Sequence, residues 1–178
     1  MNAGLVDARY TSSEAHSGSW SGLMGIVPPE PAYEAHSSIY QEITIPWDAT
    51  SATLSFWYKP FAEAPHSYSP DDFDWTGFLP GQETFKLSEA LAARTPLGVE
   101  KASWATQDWQ FALIRYGDGT YIQRILATNS NAGIWLYKSY DLMPWRGQRI
   151  WVHFEVRNDA EWRRSWMYVD DVEVRICR

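Results

Sequence analysis

The chain has 178 residues, a net charge of −7 and 11 tryptophans. Its length suits one domain with a sizeable core. The negative charge and a pI near 5.0 argue against nucleic acid, which requires a basic surface, and against an anionic membrane surface. No apolar run reaches the length needed to cross a bilayer, so membrane insertion is not expected.

Alternation of apolar and polar residues predicts about eight β-strands joined by turns. The alternation is clearest in Arg149–Arg157, where Ile150, Val152, Phe154 and Val156 share one face. We predict an all-β fold, a two-sheet antiparallel β-sandwich of the jelly-roll type, forming one domain over residues 1–178. After a short opening strand near Leu5–Tyr10, the predicted strands cover residues 21–26, 38–46, 52–59, 109–116, 121–127, 134–140, 149–157 and 166–176.

Residues 60–107 break the alternation. This segment holds five prolines, the acidic residues Asp71, Asp72 and Asp74, and a stretch of good helix formers over Thr84–Arg94. A connection of this length is uncommon in a compact domain and usually functional. We predict a long insertion that carries a short helix and lies over one edge of the sheets.

The last predicted strand contains an anomaly. A period of two places Asp170 on the same face as Trp166, Tyr168, Val174 and other apolar residues. An unpaired buried carboxylate costs several kcal/mol. Asp170 would therefore need a metal ion, an arginine or a cluster of backbone N–H groups as its partner, which predicts a structural site here.

Several short motifs occur in the order found in bacterial galactose-binding-like jelly rolls. They include His-Ser-Gly-Ser-Trp at 16–20, Leu-Ser-Phe-Trp-Tyr at 54–58, Phe-Glu-Val at 154–156 and Tyr-Val-Asp-Asp-Val at 168–172. Outside the insertion, the chain resembles these carbohydrate-binding-module-type domains, and some of the same motifs also resemble MAM-type domains. The resemblance implies a secreted or cell-surface protein of several domains, although this chain shows no signal peptide.

The resemblance also implies a structural calcium ion between the first strands and the last one. Asp170 and the turn at Gly18 and Ser19 match the family's ligands, and an oxygen-rich site suits Ca²⁺. The opening Gly-Phe-Glu strand of the family is missing here, so Asp7 or Glu14 would supply the remaining acidic ligand. The predicted calcium ligands are Asp170, Ser19, Gly18 and Asp7.

Aromatic residues with outward parity predict a carbohydrate-binding surface, because flat rings can stack on sugar rings. The alternative is that these residues fill the core and brace the sheets, as most tryptophans do. Within the insertion, Trp75 and Trp104 add two further rings. The predicted ligand-binding residues are Trp57, Trp75, Trp104, Trp135, Tyr137, Trp151 and His153.

The sequence carries no nucleophile motif, no histidine cluster at ligand spacing and no glycine-rich phosphate loop, so we expect no enzyme activity. The scattered histidines are interpreted as structural or solvated, and the single Cys177 excludes an internal disulfide. We predict a non-catalytic extracellular accessory module that binds carbohydrate or glycoprotein. The alternative is a MAM-like protein-interaction or structural module of a larger cell-surface or secreted protein.

Overall fold

The computed structural model describes residues 4–5, 7–63, 108–159 and 163–178. Within these residues the chain forms ten β-strands and a short 3-10 helix over Met143–Trp145. No helix in the described ranges is both long and apolar enough to span a membrane. The strands are β1 Gly4–Leu5, β2 Arg9–Thr11, β3 Ser21–Gly25, β4 Glu34–Thr44, β5 Ser51–Ala62, β6 Trp109–Tyr116, β7 Tyr121–Thr128, β8 Leu136–Asp141, β9 Arg149–Asp159 and β10 Ser165–Cys177.

The strands form two five-stranded sheets that pack face to face. The first sheet has the order β1-β4-β9-β6-β7, and the second has the order β2-β3-β10-β5-β8. Pairing is antiparallel except between the two-residue β1 and β4. The chain changes sheet at most of its connections, as in a jelly roll. The predicted all-β, two-sheet sandwich is confirmed.

The core lies between the sheets and follows the predicted alternation. In β5, Leu54 and Phe56 are fully buried, and Ile150 and Phe154 of β9 face them from the other sheet. The rings of Phe56 and Phe154 meet edge to face, with their centroids 4.9 Å apart. Each such side chain stabilises the fold by about 1.5–3 kcal/mol through burial alone.

The alternation of β10 is interrupted by a β-bulge between Asp170 and Glu173. Asp171, inside the bulge, has a φ of 47°, a left-handed conformation that aspartate adopts more readily than most residues. A bulge adds one residue to the strand and exchanges its two faces. Met167 and Val169 therefore pack in the core before the bulge, whereas Val174 and Ile176 pack against it afterwards.

The single period of two predicted for the whole strand was therefore wrong. Before the bulge, the even-numbered residues Trp166, Tyr168 and Asp170 lie on the outer face of the second sheet. Asp170 is only partly buried, and its carboxylate does not point into the core.

The predicted insertion over 60–107 overlaps β5, which continues through Pro60 to Ala62; the rest of that prediction, from residue 64 to 107, lies outside the described residues. Pro60 lies opposite Met167 of β10, and the pairing of β5 with β8 ends at Tyr58. The missing N–H of Pro60 therefore costs no ladder hydrogen bond on the β8 side. The predicted helix at Thr84–Arg94 and the rings of Trp75 and Trp104 lie outside the described residues.

Candidate functional site

Four rings gather on the outer face of the second sheet, where β5 lies beside the edge strand β8. Trp57 and Tyr137 are directly opposite in register, and their ring centroids are 5.3 Å apart. His16 stacks on Trp57 at 3.9 Å with an interplanar angle of 15°. It also meets Trp135 edge-on at 5.6 Å. We call His16, Trp57, Trp135 and Tyr137 the ring cluster.

Strand parity explains how three of these rings come together. Phe56 is fully buried in the core, so the next residue, Trp57, must point outward. Tyr137 alternates outward on β8, where it is 56% exposed, and Trp135 immediately precedes that strand. The structure thus brings together the predicted residues Trp57, Trp135 and Tyr137.

The loop that carries His16 is fixed to β10 by the Asp170 carboxylate. Its Oδ2 accepts the backbone N–H of His16 at 2.7 Å and that of Ser17 at 3.2 Å. Its Oδ1 accepts the N–H of Asp171 at 2.7 Å. Backbone N–H groups, one of the three partners that the sequence allows for Asp170, are therefore the partners observed.

The Asp171 carboxylate holds the side chains of the same loop. Its Oδ2 lies 2.7 Å from His16 Nδ1, and its Oδ1 accepts the hydroxyl of Ser17. Consecutive strand residues normally point to opposite faces, but the bulge and the left-handed Asp171 let both Asp170 and Asp171 reach one loop. The hydrogen bond from Ser17, followed by that from His16, lowers the pKa of the Asp171 carboxyl below its ordinary value.

These contacts define the chemistry of the ring cluster. A carboxylate can only accept hydrogen bonds, so His16 Nδ1 carries the proton that it shares with Asp171. In the neutral imidazole, Nε2 is then the acceptor. The site therefore combines aromatic faces with an ionised carboxylate and an imidazole ring.

A second anchor and further rings extend this surface along β5. Glu14 Oε2 lies 2.9 Å from Lys59 Nζ, which fixes the start of the His16 loop. The Lys59 ammonium lies 5.5 Å from the Phe61 ring centroid. The Phe61 ring in turn stacks on Trp166, with centroids 5.0 Å apart and planes within 5°. The outer face is therefore aromatic well beyond the ring cluster.

The predicted calcium ligands are only partly brought together. Gly18 and Ser19 follow Ser17 in the exposed part of the anchored loop, whereas Asp7 is exposed ahead of β2. The described hydrogen bonds and ion pairs do not link Asp7 to Asp170. The described residues also contain no group of three or more histidine, cysteine or acidic side chains suited to a metal ion. The calcium site stays a prediction.

Trp151 and His153 lie on the outer face of the first sheet, on the opposite side of the sandwich from the ring cluster. His153 is buried, and its Nδ1 accepts a hydrogen bond from Arg115 Nε at 2.7 Å. Burial lowers the pKa of His153 to about 4 despite the nearby Glu155 carboxylate, so the ring is neutral at neutral pH. The predicted ligand-binding residues therefore do not form a single site.

Beside His153, the fully buried Glu155 forms the centre of an ion network. Its carboxylate contacts Arg157 Nε, lies 3.4 Å from an Arg115 nitrogen, and lies 3.3 Å from His36 Nε2. Burial opposes its ionisation, but the charges of Arg157 and His36 outweigh burial and hold the pKa of Glu155 well below its ordinary value. Glu155 and His153 are thus both buried, and both contact Arg115 rather than solvent.

Sequence reasoning missed His16 as a member of the ring cluster. Its partners Asp170 and Asp171 are more than 150 residues away in the chain, so no local pattern indicates them. The only available signal was the pair of adjacent carboxylates in a strand that otherwise alternates. Tyr40, an outward residue of β4 that stacks on Trp151, was also missed, although its parity was visible.

The described strands thus form a two-sheet β-sandwich with aromatic residues on the outer faces of both sheets. No family model matches the chain, and no curated protein matches it. Among solved structures, the chain is similar to TmCBM61, whose structure was determined in complex with β-1,4-galactotriose. The TM-score is 0.50 at 11% sequence identity, over 96% of this chain and 82% of that one. The similarity at this identity concerns the fold.

Proposed function

We propose that the protein is a non-catalytic carbohydrate-binding module and that the ring cluster is its glycan site. The observation that carries this proposal is the gathering of Trp57, Trp135, Tyr137 and His16 on an exposed sheet edge, beside the Asp171 carboxylate. Binding sites for small ligands combine apolar walls with a few placed polar groups, and this surface has both.

Each part of the cluster has a role in holding a sugar. The C–H face of a pyranose packs against an aromatic ring, and the exposed Tyr137 offers such a ring. Asp171 and His16 Nε2 can accept hydrogen bonds from sugar hydroxyls, and bonds to the charged carboxylate are the stronger ones. The His16 ring is held by Trp57 and by Asp171 of β10, so this ring loses little conformational freedom on binding.

The fold similarity supports the choice of first ligand. TmCBM61 was solved with β-1,4-galactotriose, and β-1,4-galactan is therefore the first probe for this chain. The accessory role in a larger secreted or cell-surface protein is part of the proposal and is supported by the motif resemblance described above.

The test measures the affinity of the purified chain for β-1,4-galactan, β-1,4-xylan, β-1,3-glucan and mannan, followed by calorimetry with the matching trisaccharide. Tyr137→Ala and Trp57→Ala should each weaken binding at the ring cluster at least about tenfold, because rings at the centre of a site carry most of the affinity. Trp47→Ala is the matched control, since Trp47 is 80% exposed and lies outside the cluster. Its affinity should equal that of wild type.

Failure of the wild-type chain to bind any of the four polysaccharides would refute the proposal and favour the protein-interaction alternative. Affinity and stoichiometry equal to those of wild type in both Tyr137→Ala and Trp57→Ala would place the glycan site elsewhere. Melting temperatures and circular dichroism establish that each variant is folded.

A further inference from the structure

A second ring pair, of which one member is exposed, lies on the outer face of the first sheet. Tyr40 of β4 stacks on Trp151 of β9, with centroids 4.5 Å apart and planes 18° from parallel. The edge of the Tyr40 ring also meets His153 at 5.8 Å. Tyr40 nevertheless remains 55% exposed, so the ring face turned away from Trp151 is open to solvent.

This ring pair is fixed by charged neighbours. Trp151 Nε1 donates a hydrogen bond to Glu42 Oε2 at 3.0 Å, and Arg149 Nε lies 3.6 Å from the same oxygen. Glu42 and Trp151 are paired in register across β4 and β9. The side chains of Glu42 and Arg149 are themselves substantially exposed. We call Tyr40, Glu42, Arg149 and Trp151 the second platform.

The second platform repeats the chemistry of the ring cluster. In both places one ring stacks on another, and a carboxylate fixes the pair by accepting a ring N–H, from His16 in one and from Trp151 in the other. In both, an aromatic surface lies beside groups that can bind hydroxyls. The second platform differs in adding the guanidinium of Arg149, a charged group with several N–H donors.

From this repetition we infer that the chain has a second saccharide site at Tyr40, so that one copy bridges two glycan chains. The inference rests on the proposed function of the ring cluster. The two sites lie on opposite outer faces of the sandwich, whose sheets alone are about 10 Å apart. The sandwich therefore separates a glycan bound on one face from the opposite face, and the second site must bind a different glycan chain.

The size of the second platform favours a sugar over a protein partner. A stable protein interface buries about 800 Å² on each partner, whereas the second platform has four side chains and one open ring. Its charged groups are paired with each other, which suits a neutral saccharide better than an ionic ligand. One or two sugar rings would cover it.

The stoichiometry of trisaccharide binding tests the inference directly. The probe is β-1,4-galactotriose, or the trisaccharide of whichever panel polysaccharide the wild-type chain binds. Calorimetry should give two sugars per chain for wild type and one for either Tyr40→Ala or Tyr137→Ala. Tyr10→Ala is the control, because this tyrosine is exposed but lies outside both sites, and it should keep two.

Bridging has its own readout. Wild-type chain should make a solution of the soluble polysaccharide turbid, and either single variant should abolish the turbidity while still binding.

The outcomes separate this inference from the proposed function. One sugar per wild-type chain, with Tyr40→Ala unchanged in stoichiometry and turbidity, would overturn the second site and leave the ring cluster intact. Two sites of which neither is lost in Tyr40→Ala would also overturn it. No binding of any probe by wild type would refute the proposed function itself.

Discussion

Asp108, immediately before β6, provides the sharpest test of the described packing. The residue is buried, and its carboxylate accepts the N–H of Asp159 at 3.0 Å and the side-chain amide of Asn158 at 3.2 Å. Burial, assisted by the charge of Asp159, outweighs these hydrogen bonds and raises the pKa of Asp108 from 3.8 to about 7.

The sign of the effect follows from proton binding. Between about pH 4 and pH 7 the native state keeps a proton on Asp108 that the unfolded chain has lost, so this group's contribution to stability falls as the pH rises through that window. A difference of about 3 pH units corresponds to about 4 kcal/mol. Asp108→Asn cannot ionise, and its free energy of unfolding relative to wild type should rise by up to that amount from pH 4 to pH 8.

Urea unfolding of wild type and Asp108→Asn at pH 4.5, 6, 7 and 8 measures this difference. Taking the variant minus wild type cancels every group that titrates equally in both proteins. Ile134→Ala, at an exposed residue that does not ionise, is the control and should show a difference that stays constant with pH. A constant difference for Asp108→Asn as well would refute the reasoning, because it would mean that the pKa of Asp108 is the same in both states.

Three further predictions concern other parts of the fold. Glu155→Gln removes the fully buried carboxylate that pairs with the part-buried Arg115 and the exposed Arg157, so urea unfolding should show a loss of about 1–3 kcal/mol. A loss below about 1 kcal/mol would contradict the described network. Gly25→Ala places a Cβ 2.3 Å from the carbonyl oxygen of Ser165 and should lower the free energy of unfolding strongly. Gly18→Ala meets no atom within 4 Å and should cost only about 1–2 kcal/mol through its left-handed backbone. Equal losses of stability in the two variants would contradict this packing. If calcium binds as the motif resemblance implies, the Tm of wild type should be higher in calcium than in EDTA, and the Tm of Asp170→Asn should be the same in both. A wild-type Tm that is equal in calcium and in EDTA would exclude the ion.

Much of the fold could be predicted from local pattern because strand periodicity is a property of neighbouring residues. The predicted strands from residue 21 onward correspond to β3–β10. The outward direction of Trp57 followed from Phe56 facing the core, and Tyr137 followed in the same way on β8. Any residue in an uninterrupted strand can be assigned a face by this rule.

The rule failed at β10, where one extra residue exchanges the faces. The bulge depends on how β10 pairs with β5 and on the left-handed Asp171, and neither is encoded in the alternation of β10 alone. Asp170 was therefore assigned to the core, although the partner found for it, a set of backbone N–H groups, was among those that physical reasoning allowed.

By itself, the sequence determined that this is a β protein, where its strands lie and which faces of most strands are buried. It also indicated that aromatic side chains of outward parity lie on the surface. Only the tertiary structure decided which rings meet. His16 reaches Trp57 because its loop is bound by Asp170 and Asp171, which follow His16 by more than 150 residues in the chain. Trp151 lies on the opposite side of the sandwich from Tyr137. The physical reason is that periodicity acts between neighbours in the chain, whereas sheet order and loop anchoring depend on residues that only folding brings together.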